Sequence, residues 1–271
     1  MLSEKIYLET EQSDGYIQTY IADKINGYKR GAVLIIPGGG YAEICSEREG
    51  EPIALAFMAH GFNAFVLHYS VGGVVFPEQL IQASKAVKYI RDNADQYGMD
   101  SDKVFVVGFS AGGHLAACLG TMWDMKDIYK KIDMPIGYNK PTGMILMYPV
   151  ISYKFHNITF ENLLNSKNPS KAELTMCSIE KYVSKQSSPA YIVHTSNDQV
   201  VDVRNSLTLA NAMAEKGITF ELHIYPDAPH GIALGNEITK CGEEKWCNQS
   251  IALWVNNAIL WIENLSNQLT P

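Results

Sequence analysis

The stretch that decides the fold is Val104-Phe105-Val106-Val107-Gly108-Phe109-Ser110-Ala111-Gly112. Its apolar first half is typical of a buried strand, and residues 113–119, which follow it, are typical of a helix. A Gly-x-Ser-x-Gly pentapeptide between a strand and a helix predicts a nucleophile elbow, a sharp turn that exposes the serine hydroxyl. Glycines suit such a turn because larger side chains would collide with neighbouring backbone. Ser110 is therefore the first candidate catalytic residue.

Short apolar segments alternate with longer helical ones on both sides of this elbow. The predicted strands are Ile6–Glu9, Tyr16–Ile21, Ala32–Ile36, Ala64–His68, Val104–Val107, Gly143–Met147, Ala190–His194 and Phe220–Ile224. The central ones are apolar almost throughout, as strands buried on both faces of a parallel sheet are. The two N-terminal strands are more polar and predict an antiparallel edge. The pattern therefore indicates an α/β fold with a mostly parallel central sheet flanked by helices.

Three helices carry clear signals. One is predicted from Pro77 to Tyr97 and ends at Gly98, and a second from Arg204 to Lys216 with Gly217 as its stop. A third is predicted from about Glu243 to Leu265, with an inward stripe of Trp254, Ala258, Trp261 and Leu265.

The 271 residues fit one domain, residues 1–271, better than two. Two segments interrupt the alternation: residues 123–141, and residues 152–188 with short helices near 159–164 and 170–183. The second lies between two core strands, which favours a small helical cap over a candidate site. A surface elaboration without a role is the alternative interpretation.

Composition excludes several classes of protein. The net charge of −7 argues against a nucleic-acid partner, because phosphate binding needs clustered Lys and Arg. Runs of about 18 apolar residues, which a membrane span needs, do not occur, and residues 1–12 lack an apolar signal core. We therefore expect a cytoplasmic location with no membrane partner, and a homo-oligomer stays open. Five irregularly spaced cysteines predict free thiols and no metal site, although Cys241 and Cys247 are close in sequence.

A serine nucleophile needs a base that is oriented by a third group. Asp198 follows the strand Ala190–His194, and His230 follows the strand Phe220–Ile224. Both lie on loops after later strands, in the chain order of acid and then histidine that follows a nucleophile elbow. We predict that Asp198 and His230 complete a catalytic triad with Ser110.

Competing candidates have ordinary structural interpretations. Asp202 is four residues from Asp198, but it is predicted to cap the following helix. His114 would point away from the serine hydroxyl on the elbow helix, where packing and hydrogen bonding are its expected roles. The other histidines have ordinary helix, strand or loop interpretations: His60, His68, His156, His194 and His223.

Acyl transfer also needs hydrogen-bond donors for the oxyanion of the tetrahedral intermediate. The backbone amide of Ala111, directly after the serine, is one candidate. Gly39 and Gly40, in the loop Pro37-Gly-Gly-Gly-Tyr41 after a strand, are the others. A flexible connecting loop is the alternative. A phosphate-binding loop is disfavoured, because the stretch lacks the Lys-Ser/Thr ending of a P-loop.

Taken together, the glycine loop, the elbow and the Asp198 and His230 loops resemble the α/β-hydrolase superfamily of esterases and lipases. The run Ile36-Pro-Gly-Gly-Gly-Tyr41, followed by Glu47, Gly50, Glu51 and Pro52, is similar to its bacterial acetyl-xylan-esterase-like or sugar-esterase branch. Many relatives begin the loop with His where this chain has Pro37, which argues against the hormone-sensitive-lipase branch. The resemblance implies an α/β-hydrolase fold and serine deacylase chemistry.

On these grounds we expect a serine carboxylic-ester hydrolase that removes short acyl groups and needs no metal or organic cofactor. The small-molecule substrate implied by the resemblance is an ester, such as an acetylated sugar or xylo-oligosaccharide. Three alternatives stay open: an amidase or peptidase such as an arylformamidase, a lipase, and a non-catalytic binding protein on a hydrolase scaffold. The segment 152–188 is too polar for an evident lipid-binding lid.

Overall fold

A computed structural model describes residues 1–8, 15–130, 132–156 and 158–269, with side chains to residue 266. Its strands are β1 Lys5–Tyr7, β2 Tyr16–Tyr20, β3 Arg30–Ile36, β4 Asn63–His68, β5 Met99–Phe109, β6 Gly143–Met147, β7 Ala190–Thr195 and β8 Phe220–Tyr225. Its α-helices are α1 Ser46–Glu49, α2 Glu51–Ala59, α3 Glu78–Asp92, α4 Ser110–Thr121, α5 Lys126–Tyr129, α6 Ile158–Leu163, α7 Lys171–Met176, α8 Arg204–Lys216 and α9 Trp254–Leu269.

The eight strands form one sheet in the order β1-β2-β4-β3-β5-β6-β7-β8. β1, β2 and β4 pair antiparallel, and every pairing from β4 to β8 is parallel. The mostly parallel α/β sheet with an antiparallel N-terminal edge is therefore confirmed. Residue 9, the predicted end of the first strand, lies outside the described residues.

Both faces of the sheet are covered by helices, as the apolar strands predict. Along β5, Val104 and Val106 belong to one core, whereas Phe105 and Val107 belong to the other. Helices α3, α4 and α8 contribute to the first core, and α2 and α9 to the second. Successive strand side chains point to opposite faces, so each strand contributes to both cores. The described part of the chain contains no helix with the length and apolarity of a membrane span.

Two predicted helix boundaries are wrong. α3 ends at Asp92, five residues before Tyr97, because the chain beyond Asn93 continues as turns, in which the Ala94 amide bonds the carbonyl of Arg91 three residues back. α9 begins at Trp254, and the residues before it form two 3₁₀ turns, Glu244–Trp246 and Ile251–Leu253. The predicted inward stripe of α9, Trp254, Ala258, Trp261 and Leu265, is buried.

The other helix signals hold more closely. α8 ends where predicted, and Gly217 adopts the left-handed conformation with φ of 68°. In the segment 152–188, the expected second helix is broken at Cys177 into α7 and the 3₁₀ turn Ile179–Lys181.

Candidate active site

The predicted elbow forms at the junction of β5 and α4. Ser110 has φ of 51°, a left-handed conformation that is strained for a residue with a side chain. A Cβ on Gly108 would lie 2.4 Å from the carbonyl oxygen of Gly112, and one on Gly112 would lie 2.0 Å from that of Ile36. Neither position has room for a side chain, so the spacing of the two glycines follows from packing.

The structure brings Ser110, His230 and Asp198 together. His230 Nε2 lies 2.9 Å from Ser110 Oγ, and its Nδ1 lies 2.7 Å from Asp198 Oδ2. When Nδ1 carries the proton and donates it to the carboxylate, Nε2 can accept from the serine hydroxyl. The Asp198 side chain is fully buried, whereas 16% of the His230 side chain is exposed. The arrangement can therefore withdraw a proton from Ser110.

Asp198 is held as a carboxylate by four donors. Oδ1 accepts the amides of Val200 and Val201, each at 2.9 Å, and Oδ2 faces His230 and, at 3.4 Å, Nε2 of His194. Burial raises the pKa of Asp198, but the hydrogen bonds from both histidines, the charge on His230 and the Val201 amide together lower it below its ordinary value. The group facing His230 is therefore ionised at neutral pH.

Asp202 lies apart from this arrangement. Its carboxylate pairs with Arg204, with 2.6 Å between Nη2 and Oδ2, and also accepts the Arg204 amide. The expected capping role is wrong in detail, because Val203 occupies the cap position of α8. The side chain nevertheless satisfies the first helical amide.

The predicted oxyanion donors lie in the loop after β3 and at the start of α4. Gly39 and Gly40 have φ of 121° and 62°, and both line a pocket together with Ser110 and His230. The carbonyl of Gly39 accepts hydrogen bonds from the amides of Ala42 and Glu43. The carbonyl of Gly40 accepts one from the Asn162 side chain. Among the described residues, the amides of Gly39 and Gly40 have no acceptor.

Ala111 lies in the first turn of α4, where helical amides have no intrahelical partner. Its amide directly follows the serine. Within the described part of the chain, the backbone amides of Gly39, Gly40 and Ala111 are therefore the candidate donors to a developing oxygen anion.

The pocket lined by Gly39, Gly40, Ser110 and His230 has a volume of about 290 Å³. The segment after β6 contributes His156, Ile158 and Thr159 to its wall. Burial lowers the pKa of His156, and the charge on His230 lowers it further. The hydrogen bond with the Val200 backbone and the charge on Asp198 raise this pKa but do not outweigh the lowering. The site is therefore small and partly apolar.

His114 has the structural role expected of it. It is fully buried, its Nδ1 lies 2.8 Å from the hydroxyl of Tyr41, and its Nε2 lies 2.7 Å from the carbonyl oxygen of Cys177. The imidazole supports the glycine loop through Tyr41, and among the described residues it makes no hydrogen bond to Ser110.

All five cysteines are free. Cys247 lies beside Glu237 and Glu244, a juxtaposition that the sequence did not indicate, at an exposed place. Lys240 pairs with both glutamates. The single ammonium group of Lys240 therefore offsets part of the charge of these two exposed carboxylates.

Sequence reasoning missed two buried groups at this site. The sequence pattern places His194 in an ordinary strand, yet its side chain is fully buried against Asp198. Glu49 belongs to no recognised catalytic motif, yet its side chain accepts a hydrogen bond from the amide of Gly38 at 2.8 Å. The available signals were a histidine four residues before the candidate acid and a glutamate within Arg48-Glu49-Gly50-Glu51.

Comparison with known proteins identifies a family and several relatives of this chain. Residues 18–213 match the BD-FAE family. Endo-1,4-beta-xylanase B of Butyrivibrio fibrisolvens is 38% identical over 234 residues, covering 84% of this chain and 36% of that protein. The acetylxylan esterase of Xylanibacter ruminicola is 28% identical over 214 residues, covering 75% and 41%. The chain thus spans well under half the length of these two curated relatives.

Among solved structures, the acetyl ester-xyloside bifunctional hydrolase of Caldicellulosiruptor lactoaceticus superposes with a TM-score of 0.85 and 31% identity. The match covers 97% of this chain and 96% of that one. The similarity to the sugar-esterase branch of the α/β hydrolases, inferred from sequence motifs, is confirmed.

Proposed function

This chain belongs to the BD-FAE family, and from that premise we propose that it is a serine carboxylic-ester hydrolase. Its substrates are short acyl esters, above all acetyl groups on sugars or xylo-oligosaccharides. The observation that carries the proposal is the hydrogen-bonded series from Ser110 through His230 to Asp198, built on a strained elbow. Three mutually oriented groups of this kind have no purpose in a protein that only binds.

In the proposed reaction, Ser110 Oγ attacks the ester carbonyl while His230 Nε2 takes its proton. Asp198 holds the imidazole in the required tautomer and stabilises its charged form. The amides of Gly39, Gly40 and Ala111 bind the oxyanion. The carbon–alkoxy bond then breaks, and His230 returns the proton to the leaving alcohol. Water, activated by the same histidine, attacks the acyl-enzyme and releases the acid.

The substrate class is supported by the relatives and by the pocket. The relatives named above include an acetylxylan esterase and an acetyl ester-xyloside hydrolase. A pocket of about 290 Å³ accommodates a short acyl group and part of its alcohol. A cytoplasmic enzyme of this kind would meet short imported oligosaccharides; that location stays a prediction.

We also propose that residues 152–188 form a cap on a single domain. His156, Ile158 and Thr159 line the pocket, and Asn162 in α6 donates to the carbonyl of Gly40 at 2.9 Å. The segment thereby contacts the loop that carries the oxyanion donors, which a surface elaboration without a role has no need to do.

The test is ester hydrolysis with variants of the proposed triad. p-Nitrophenyl acetate, butyrate and octanoate are compared with acetate release from acetylated xylo-oligosaccharides. Ser110→Ala and His230→Ala should remain folded and lose about 10⁴-fold or more of kcat, because triad members act as a unit. Circular dichroism of each variant serves as the folding control.

The outcomes separate the alternatives. Activity confined to acetyl esters, with release from the sugar, supports the deacetylase, and a preference for longer chains indicates a general esterase. Turnover of formyl or acetyl anilides in place of esters would indicate an amidase. Wild-type turnover in Ser110→Ala would overturn the triad assignment altogether.

A further inference from the structure

Glu49 is a buried carboxylate beside the proposed catalytic groups. It ends the four-residue helix α1, and only 4% of it is exposed. Burial raises its pKa, against the hydrogen bonds from Tyr148 and Gly38 and the charges on His230 and Arg48. A buried carboxylate destabilises a fold unless hydrogen bonds or charges compensate it. A residue with that cost beside reacting groups is a candidate for a functional role.

The two oxygens of Glu49 bind two different loops. Oε2 accepts the amide of Gly38 at 2.8 Å, in the loop that continues to Gly39 and Gly40. Oε1 accepts the Tyr148 hydroxyl at 2.8 Å. That hydroxyl in turn accepts the amide of Ala233, three residues after His230, at 3.0 Å. One carboxylate therefore connects the oxyanion loop with the histidine loop.

Tyr148 also contacts the histidine directly. Its ring packs edge-on against the imidazole of His230, with 4.9 Å between ring centroids and 65° between planes. Tyr148 is buried directly after β6. Its backbone has φ of 39°, a conformation that residues other than glycine rarely adopt. The hydroxyl–carboxylate bond therefore belongs to the same strained, buried surroundings as the catalytic groups.

The preceding residue of α1 holds the histidine loop independently. The Arg48 guanidinium donates to the carbonyls of Gly231 and Thr239 and stacks on Trp246, 3.7 Å from its ring centroid. Among the described residues, it makes no ion pair with Glu49. Glu49 is thus held by neutral donors, and its two hydrogen bonds are its specific contacts.

We propose that Glu49 is a positioning residue that fixes the oxyanion loop at Gly38 in register with the His230 loop through Tyr148. The inference rests on the proposed esterase function. Oxyanion donors contribute only when they are already aimed at the position where charge develops. A displacement of a positioned group by about 1 Å can lower the rate about 10²-fold. The hydrogen bond from Gly38 to Glu49 fixes the loop one residue before Gly39. We therefore expect it to affect the transition state more than the binding of the ester.

The variants are Glu49→Gln, Tyr148→Phe and the double variant. Glutamine keeps the shape of the side chain, but its NH₂ group is a donor. This group would face either the Gly38 amide or the Tyr148 hydroxyl, both of which now donate to the carboxylate. Tyr148→Phe removes the hydroxyl and keeps the ring against His230. We expect each single change to lower kcat about 10- to 100-fold with KM within about twofold. The double variant should lose no more than the worse single one, because both cut the same connection.

Glu51→Gln is the matched control, since it removes an exposed carboxylate two residues away. Rates are expressed per active site titrated with diethyl p-nitrophenyl phosphate, so that a fraction of misfolded protein does not count as lost catalysis. A loss of titratable sites or of Tm with unchanged kcat per site would indicate a merely structural role and overturn the inference. So would kcat within twofold of wild type in Glu49→Gln.

The phosphorylation rate itself separates this inference from the proposed function. The reagent places a phosphoryl oxygen where the oxyanion forms, as Ser110 Oγ bonds to phosphorus and p-nitrophenolate leaves. Slower labelling in Glu49→Gln than in wild type supports the inference even if the true ester substrate is not among those tested. Equal labelling rates overturn it while the esterase proposal stands. A wild-type chain that is neither labelled nor active would overturn both.

Discussion

At Asp198, two imidazoles face one carboxylate. His230 makes the shorter contact at 2.7 Å, and His194 approaches the same oxygen at 3.4 Å while its other contacts reach Ser206 and Val201. A carboxylate with this many donors stays ionised and cannot turn. Its orientation fixes the Nδ1 proton of His230, which decides whether Nε2 can accept from Ser110.

Asp198→Asn tests this division of roles. The amide keeps the shape but favours the wrong imidazole tautomer, so we expect kcat to fall about 10⁴-fold with little change in Tm. Asp202→Asn weakens only the contacts with Arg204, and the carboxylate that it replaces is one-third exposed. We therefore expect the kcat of this variant to stay within about twofold of the wild-type value. Steady-state kinetics on one acetyl ester measures both variants. The reverse ranking would transfer the acid role to Asp202.

At the scale of secondary-structure elements, the site is assembled from the carboxyl ends of neighbouring parallel strands. β3 leads into the glycine loop, β5 into Ser110, β7 into Asp198 and β8 into His230. Because these strands run parallel and lie on one sheet, loops distant in sequence meet at the same edge. The glycines between strand and helix allow this close approach.

Gly112→Ala and Gly217→Ala separate packing from backbone conformation. At Gly112 a Cβ would lie 2.0 Å from the carbonyl oxygen of Ile36, whereas at Gly217 nothing lies within 4 Å. We expect Gly112→Ala to lose more than about 3 kcal/mol of the free energy of unfolding, because backbone must move. Gly217→Ala should lose only about 1 kcal/mol, the cost of a left-handed conformation.

Urea unfolding at pH 7.5 gives the free energy of unfolding of both variants, and Gly217→Ala is the control for replacing a glycine with alanine. A Gly112→Ala protein with wild-type stability would contradict the close approach of α4 to β3.

Across the whole molecule, local patterns predicted the sheet and the three candidate triad residues. Apolar runs mark strands, and the loops after parallel strands converge, so the proximity of Ser110, Asp198 and His230 followed from chain order alone. Glu49 and Tyr148 are 99 residues apart, and no periodicity or motif connects them. Their contact depends on the tertiary structure, which brings the end of α1 to the residue after β6 and which sequence patterns do not encode.

Helix ends were less predictable for a similar reason. Ala94 and Tyr97 are buried, so they continue the apolar period of α3, although the backbone has already turned at Asn93. Apolar spacing reports which residues face the core, and a turn can satisfy it as well as a helix. The residues from Glu243 to Leu253 contain no such period, and their backbone forms the two 3₁₀ turns instead of a continuous helix.

Global stability should depend on His114 below neutral pH. Burial, only partly offset by the hydrogen bond to the Cys177 carbonyl, lowers the pKa of this imidazole to about 4. In the unfolded chain its pKa is about 6.5, so the unfolded state binds the extra proton between these values. The stabilisation is therefore complete above pH 6.5 and is lost as pH falls toward 4. By pH 4.5 we expect the loss to reach about 2 to 3 kcal/mol.

His114→Gln removes the titration and should flatten this part of the pH dependence, whatever its stability at pH 7.5. Urea unfolding between pH 7.5 and 4.5 gives the free energy of unfolding of the wild type and of the variant at each pH. The contributions of the other titrating groups cancel in the difference between the two curves. His60→Gln, at an exposed imidazole directly after α2, is the control for replacing a histidine with glutamine. Parallel curves for the wild type and His114→Gln would mean that the buried imidazole takes up its proton in the folded chain as readily as in the unfolded one. Burial would then not hold it neutral.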